Sequence, residues 1–222
     1  MTDFTAARLN MVESQVRPNG ITDRRIIAAI ETVPRESFVP RSRQALAYMD
    51  EDVPLEPADR SQGPRGLIEV MAFARMLQHA SIKPSDKVLI VGAATGYGAA
   101  VVRQMAGAVV ALECDAGLAA LAKSNLATAS NVKVVAGPLA GGVAAEQPFD
   151  VILLEGRAED VPLTLIDQLA DGGRLVGVVG ERETSQACVY SKSGGAIAVR
   201  QVFDASVTAL PGLKKKKPAF VF

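Results

Sequence analysis

Beyond Asp86 the chain alternates short, almost wholly apolar runs with helical stretches, and this texture constrains its fold more than any other feature. The runs lie at 88–91, 109–113, 132–135, 151–154 and 174–179, and helical patterns begin near Gly98, Ala116 and Val161. A strand that is apolar at every position is buried on both faces, as inside a parallel sheet covered by helices. Strands of that kind separated by helices are βαβ units. The expectation is an α/β fold with a mostly parallel sheet. From Ala187 the pattern changes, because Ser193-Gly194-Gly195 reads as a hairpin turn between Val/Ile/Tyr-rich segments. An antiparallel hairpin should therefore close the sheet.

The first 80 residues read differently. Amphipathic helices are predicted over 5–16 and 23–32, split by the turn Arg17-Pro18-Asn19-Gly20. Thr22 is the expected cap of the second, whose apolar stripe is Ile26, Ile27 and Ile30, and Pro34 ends it. Residues 40–64 lose periodicity and gather acids and prolines, which suggests a long ordered loop or lid. Leu67, Val70, Met71, Ala74 and Leu77 then predict a core-packed helix over 67–79. We expect residues 1–80 to form a helical and lid segment packed on a core of residues 81–222.

Composition narrows the chemistry. The 222 residues carry 24 Lys plus Arg against 24 Asp plus Glu, so no net field recruits nucleic acid or an anionic membrane. There is one histidine, His79, and the two cysteines, Cys114 and Cys188, form neither a CxxC pair nor a metal-ligand cluster. Structural zinc and a disulfide scaffold are excluded on that basis. Any Ser-His or Cys-His nucleophile would have to use His79, which reads as a late helical residue. With no apolar run of membrane-spanning length and no secretory leader, the expected location is the cytoplasm.

One segment carries a mechanism. Val88-Leu89-Ile90-Val91-Gly92-Ala93-Ala94-Thr95-Gly96-Tyr97-Gly98 follows a strand and opens a helix, where nucleotide-type ligands bind in open α/β sheets. Gly92 and Gly96 allow close backbone approach, and Glu113 ends the next strand, where a carboxylate can accept both hydroxyls of a ribose. A dinucleotide loop keeps GxGxxG, whereas the spacing here is G-x-x-x-G with no second substrate domain. S-adenosylmethionine is the better candidate, and the antiparallel C-terminal hairpin agrees with it.

The sequence resembles the protein-L-isoaspartate O-methyltransferases over nearly its whole length. The resemblance runs through Met11-Val12-Glu13-Ser14-Gln15-Val16-Arg17-Pro18-Asn19-Gly20-Ile21-Thr22-Asp23, Val33-Pro34-Arg35-Glu36-Ser37-Phe38-Val39-Pro40, Pro148-Phe149-Asp150-Val151-Ile152 and Leu169-Ala170-Asp171-Gly172-Gly173-Arg174-Leu175-Val176. It implies a Rossmann-like class I methyltransferase with a seven-stranded sheet, using S-adenosylmethionine, releasing S-adenosylhomocysteine and acting on a protein or peptide carboxylate. Gly92, Ala93, Ala94, Thr95 and Gly96 would cradle the methionine part and Glu113 the ribose. Cys114 would line the crevice, Pro138 and Leu139 would meet the adenine through apolar contact and the Leu139 N–H, and Glu155 would sit at the sheet's carboxyl edge with Arg157.

The sequence departs from the family pattern at Ile90, Ala94 and Pro138, which replace an acid, the middle glycine and an adenine-binding aspartate. Counted without a gap, Gly66-Leu67-Ile68-Glu69-Val70-Met71 falls on the family's T-I-S-Q-P-Y segment, so Ile68 replaces its serine. A shifted alignment would use Ser61 instead. No metal site and no catalytic residue are assigned. The alternatives are a catalytically silent relative serving as a binding module and a methyltransferase for another acceptor. Lys214-Lys215-Lys216-Lys217 is expected to be the solvated approach to a closing strand at 218–222.

Overall fold

A computed structural model of the chain describes residues 3–215, so Lys216, Lys217 and the expected strand at 218–222 lie outside the described residues. Two short strands come first, β1 (Val53–Pro54) and β2 (Gly66–Leu67), paired antiparallel. The main sheet contains β3 (Lys87–Val91), β4 (Ala108–Glu113), β5 (Val132–Ala136), β6 (Phe149–Ala158), β7 (Leu169–Val179), β8 (Gln186–Ser193) and β9 (Ala196–Asp204). Their order is β5-β4-β3-β6-β7-β8-β9, parallel from β5 to β7 and antiparallel thereafter. The chain builds outward from β3 to β5 and then returns to lay β6 on the other side of β3. That reversal opens a crevice at the carboxyl ends of β3, β4 and β6.

The apolar runs behave as their composition requires. Val88 and Ile90 enter one core cluster while Leu89 and Val91 enter the other, so the period-2 alternation of a strand buries both faces. β5 is the exception: its residues are partly exposed because it forms the edge of the sheet. At the opposite edge, Gly194 and Gly195 form a two-residue turn with φ of +57° and +81°, joining Ser193 to Ala196. Both positions require a left-handed backbone, which glycine adopts without steric cost. Cys188 is a buried residue of β8.

Four expectations shift. Residues 5–16 are not one α-helix: α1 (Phe4–Met11) continues as a π-helical turn over Val12–Val16 and a 3₁₀ turn over Arg17–Asn19, and Gly20 reverses the chain. The cap of α2 (Arg24–Thr32) is Asp23, whose carboxylate accepts the Arg25 N–H at 2.9 Å, while Thr22 is tied through its own N–H to Gln78. The third helix, α3 (Val70–Ala80), starts after Leu67, which belongs to β2, and it buries Phe73 and Met76 while Met71 is only half-buried. Finally β6 continues to Ala158, so Glu155 and Arg157 are strand residues rather than part of a loop beyond it. A register shift between Leu153 and Arg157 and the φ of +152° at Gly156 accommodate the extra length.

Three further helices cover the sheet: α4 (Tyr97–Val102), α5 (Ala116–Asn125) and the short α6 (Leu163–Asp167), which begins just after Pro162 rather than at Val161. Residues from Met11 to Val207 share the first core cluster, so α1, α2 and α3 pack into the same apolar interior as one face of the sheet. The predicted lid, residues 40–64, holds β1 and two 3₁₀ turns. His79 is partly exposed late in α3 and stacks on Phe203 at 5.9 Å. Among the described residues no helix is long and apolar enough to cross a membrane, and no group of His, Cys, Asp or Glu converges as a metal-ion cluster.

Candidate active site

Glu113 ends β4 at the mouth of the crevice and is fully buried. Its carboxylate is surrounded by donors. The Ala94 N–H reaches Oε2 at 2.7 Å, and the N–H groups of Cys114 and Asp115 reach Oε1 at 2.9 Å each. The Arg65 guanidinium, 2% exposed, donates to Oε2 as well. The Gly92 and Ala93 N–H groups bond to the Leu112 carbonyl at 2.9 and 3.0 Å, which holds the 92–96 loop against β4.

The loop has the conformation its glycines permit. Gly92 and Gly96 have φ of +85° and +94°, and Ala94 has φ of +50°. An alanine in the left-handed region costs about 1 kcal/mol relative to glycine. Its N–H bond to Glu113 fixes the backbone there. Thr95 turns away from the crevice: its hydroxyl donates to the Phe38 carbonyl at 2.6 Å, and its own carbonyl accepts from the Asn125 side chain at 2.9 Å. Thr95 thus joins the loop to the amino-terminal segment and to α5, which sequence spacing alone does not reveal.

A second layer closes over the loop. Leu210 covers Gly92 so closely that a Cβ there would lie 2.4 Å from Leu210 Cδ2. Glu155 lies on Gly98, where a Cβ would fall 1.3 Å from its Oε1. Glu155 also borders a cavity of about 10 Å³, lined by Arg35, Ile68, Ala94, Tyr97 and Gly98 among others. Ile68 lines this cavity, whereas Ser61 is exposed, with its hydroxyl on the Asp59 carboxylate. Arg35, 1% exposed, anchors this wall by donating from Nε to the Ala47 carbonyl at 2.9 Å and from Nη2 to the Ile68 carbonyl at 2.8 Å. Its guanidinium carbon lies 4.7 Å from the Tyr97 ring centroid.

Burial pushes the Glu155 carboxyl up to about 8, a rise that Arg35 and Arg65 moderate and Glu113 reinforces. The folded state then holds a proton that the unfolded chain has lost by about pH 5, so the contribution of Glu155 to stability falls as pH rises from 5 to 8. The variant Glu155→Gln should reduce that decline by at least about 1 kcal/mol in urea unfolding at the two pH values. Glu69 titrates in the same window, and comparison with wild type cancels its contribution. An unchanged slope would show that Glu155 is ionised in the folded protein.

The crevice thus gathers Gly92, Ala93, Ala94, Gly96, Glu113, the half-buried Cys114 and Glu155. Pro138 and Leu139 lie at its rim, beyond Gly137, whose N–H bonds to the Glu113 carbonyl at 3.0 Å. Pro138 is exposed, but the Leu139 side chain is buried in the second core cluster, which corrects its expected apolar contact with a ligand. Arg35 and Arg65 emerge only from the structure. Arg35 falls within a segment of family resemblance, which is a usable signal. Arg65 ends an aperiodic stretch that offers none.

Next to the crevice, at the carboxyl edge of β6, lies a larger cleft of about 450 Å³. It is lined by the acids Glu51, Asp52 and Glu69, by Arg157 and Arg182, and by Pro64 and residues 206–209. Asp52 ties the walls together, accepting the Glu69 N–H at 2.8 Å and both the N–H and the hydroxyl of Thr208, at 2.6 and 2.7 Å. Burial raises the Glu69 carboxyl to about 7, and Asp52 and Asp50 push it the same way. Arg157 donates from Nη1 to the Gly180 carbonyl at 2.8 Å, while its Nε is buried with no partner among the described residues.

The sequence pattern of the Protein-L-isoaspartate(D-aspartate) O-methyltransferase family matches residues 7–215. A Koribacter versatilis protein named protein-L-isoaspartate O-methyltransferase is 37% identical over 221 residues, 99% of this chain and 97% of that one. One of the same name from Methanoculleus marisnigri is 36% identical over 192 residues, 86% and 84% of the two chains. Among solved structures, a protein-L-isoaspartate O-methyltransferase superposes with a TM-score of 0.80 at 24% identity, covering 93% of this chain and 67% of that one. A Plasmodium falciparum structure described as a complex with S-adenosyl-L-homocysteine gives 0.75 at 19% identity, covering 95% and 99%. These two likenesses establish the Rossmann-like methyltransferase fold.

Proposed function

The chain belongs to the protein-L-isoaspartate (D-aspartate) O-methyltransferase family, and from that premise we propose that it methylates the free carboxylate of isoaspartyl residues in damaged proteins, using S-adenosylmethionine. One observation carries the reading for this chain: the Glu113 carboxylate ends β4 facing the Gly92–Gly96 turn, where a sugar would lie across the crevice. The cofactor supplies the transferable methyl group on a sulfonium. Gly92, Ala93, Ala94, Gly96, Glu113, Cys114, Pro138, the Leu139 N–H and Glu155 form the proposed binding surface, and Thr95 holds the loop from behind. In the arrangement described above they do not fit the cofactor, because the Arg65 guanidinium holds the Glu113 oxygen that the sugar hydroxyls need.

The acceptor side needs little chemistry. A free carboxylate with a pKa near ~4 is already ionised at neutral pH, so no general base is required and positioning is the main task. The cleft of about 450 Å³ supports this role. Its two arginines can hold an anionic acceptor, and Arg157 has a buried Nε free to donate. Hydrogen bonds to charged groups contribute about 1.5–3 kcal/mol. Arg157→Ala should therefore raise KM for an isoaspartyl peptide roughly tenfold or more with little change in kcat, measured by transfer of labelled methyl groups. The function itself is tested by the same assay with isoaspartyl and normal aspartyl peptides. Methyl ester on the first alone is the expected result, and ester on neither at saturating cofactor would rule the reading out.

A further inference from the structure

The sugar-binding carboxylate of the proposed cofactor site is already saturated. A carboxylate offers about four lone-pair positions, and Glu113 accepts from four nitrogen donors, the N–H groups of Ala94, Cys114 and Asp115 and the Arg65 guanidinium, besides the Cys114 thiol at 3.4 Å. Three of these are backbone groups fixed by the β4 terminus and the Gly92–Gly96 turn. The fourth comes from a side chain at the end of a surface segment. A cavity that reaches this pair only through Gly66 and Ala94 is about 10 Å³, room for about one water, whereas ligand sites measure about 300–1,000 Å³. An adenosine-type ligand and the docked Arg65 side chain cannot share this space.

The segment that carries Arg65 is built to move. Most of residues 56–64 are exposed, while the residues at the two ends, Leu55 and Arg65, are buried. The Leu55 N–H bonds to the Arg65 carbonyl at 2.8 Å, and midway the Asp59 N–H reaches the Asp115 carboxylate at 2.9 Å. Such a segment opens locally at much lower free energy than the strands beneath it. Arg65 is also an incomplete fit, because its Nε is buried with no hydrogen-bond partner among the described residues. A buried guanidinium with an orphaned donor is stable enough to close the site and incomplete enough to leave it.

The geometry points to Arg65 as a latch on the cofactor crevice: its guanidinium takes the position on Glu113 that ribose hydroxyls need, so cofactor enters only when residues 56–65 withdraw. This inference rests on the proposed use of S-adenosylmethionine and adds a gate to it. The closed form reduces apparent affinity in proportion to the fraction of molecules that are open. Removing the latch therefore tightens binding, the opposite of what removing an ordinary ligand-contacting residue does. Withdrawal also frees the end of the segment next to Pro64, which lines the neighbouring acceptor cleft. Cofactor entry thereby reshapes one wall of the place where the peptide would lie.

Two measurements on the full chain test the latch. In calorimetry with S-adenosylhomocysteine, Arg65→Ala should bind at least tenfold more tightly than wild type, and equal or weaker binding by the folded variant would overturn the proposal. In the wild-type chain labelled with ¹⁵N-arginine, the Arg65 Nε–H signal, assigned by its loss in Arg65→Lys, should be slow to exchange alone and lost to solvent exchange at saturating ligand. Persistence of that protected signal at saturation would equally overturn the latch. If Arg65→Ala does not fold, the wild-type signal decides. Equal heats in both proteins remove only the latch, whereas no heat in either removes the cofactor reading and the latch with it.

Discussion

Glu113→Ala is expected to lower the free energy of unfolding by about 3–5 kcal/mol, the largest single effect at this site. The carboxylate is wholly buried and has four nitrogen donors. Its loss leaves the Arg65 guanidinium without its counter-ion and the N–H groups of Ala94, Cys114 and Asp115 without their acceptor. An uncompensated buried charge is much more costly than the removal of a whole ion pair. The double variant Glu113→Ala with Arg65→Met should therefore be less destabilised than Glu113→Ala alone, and the difference measures the coupling. Urea unfolding at pH 7 checks both. A loss below about 1 kcal/mol would mean that Arg65 and the three amides find other partners. Binding of S-adenosylhomocysteine should disappear in both variants, because neither retains the acceptor for the sugar.

Arg35→Ala is expected to lower stability by a comparable amount, about 3–5 kcal/mol. Arg35 is buried among carbonyls, donating to Ala47, Ile68 and Leu67 at 2.9, 2.8 and 3.4 Å, with the Tyr97 ring beside its guanidinium. One side chain thus links Ala47 in the lid, the end of β2 and the first turn of α4. Its removal leaves two or more carbonyls unpaired and opens a cavity under Ile68. Arg35→Lys should recover little of the loss, because a single ammonium cannot span carbonyls on two separate segments while stacking on Tyr97. Denaturation of the three proteins, with amide exchange at Leu67, Ile68 and Glu69, separates the outcomes. If lysine restores both stability and protection at these residues, the fork geometry of arginine is not what holds the wall.

The parts legible in the sequence are those set by local rules. The runs that became β3, β4, β6 and β7 were visible because strands buried on both faces must be apolar throughout. The Gly194-Gly195 turn was visible because two consecutive left-handed residues require glycine. Gly92, Gly96 and Glu113 could be paired from spacing because one strand-turn-helix unit and the end of the next strand are adjacent in any such sheet. Boundaries failed where a tertiary contact overrode the local pattern. Leu67 continues the helical stripe on paper, yet β2 pairs with β1 and takes it. Glu155 reads as a loop residue, yet Gly156 lets β6 run past it toward the segment ending at Leu210.

Sequence alone determined the mostly parallel sheet with its antiparallel closing hairpin, the amino-terminal helices and the pairing of the Gly92–Gly96 turn with Glu113. Each depends on residue type, period or short spacing, and those quantities are properties of the chain itself. Only the tertiary structure decided that Arg65 reaches Glu113 across 48 positions, that Arg35 holds Ile68 by its carbonyl and that Leu210 covers Gly92. Such contacts join segments with no periodic relation to each other. They arise because a buried cation must find a carboxylate or carbonyl wherever the packed chain presents one.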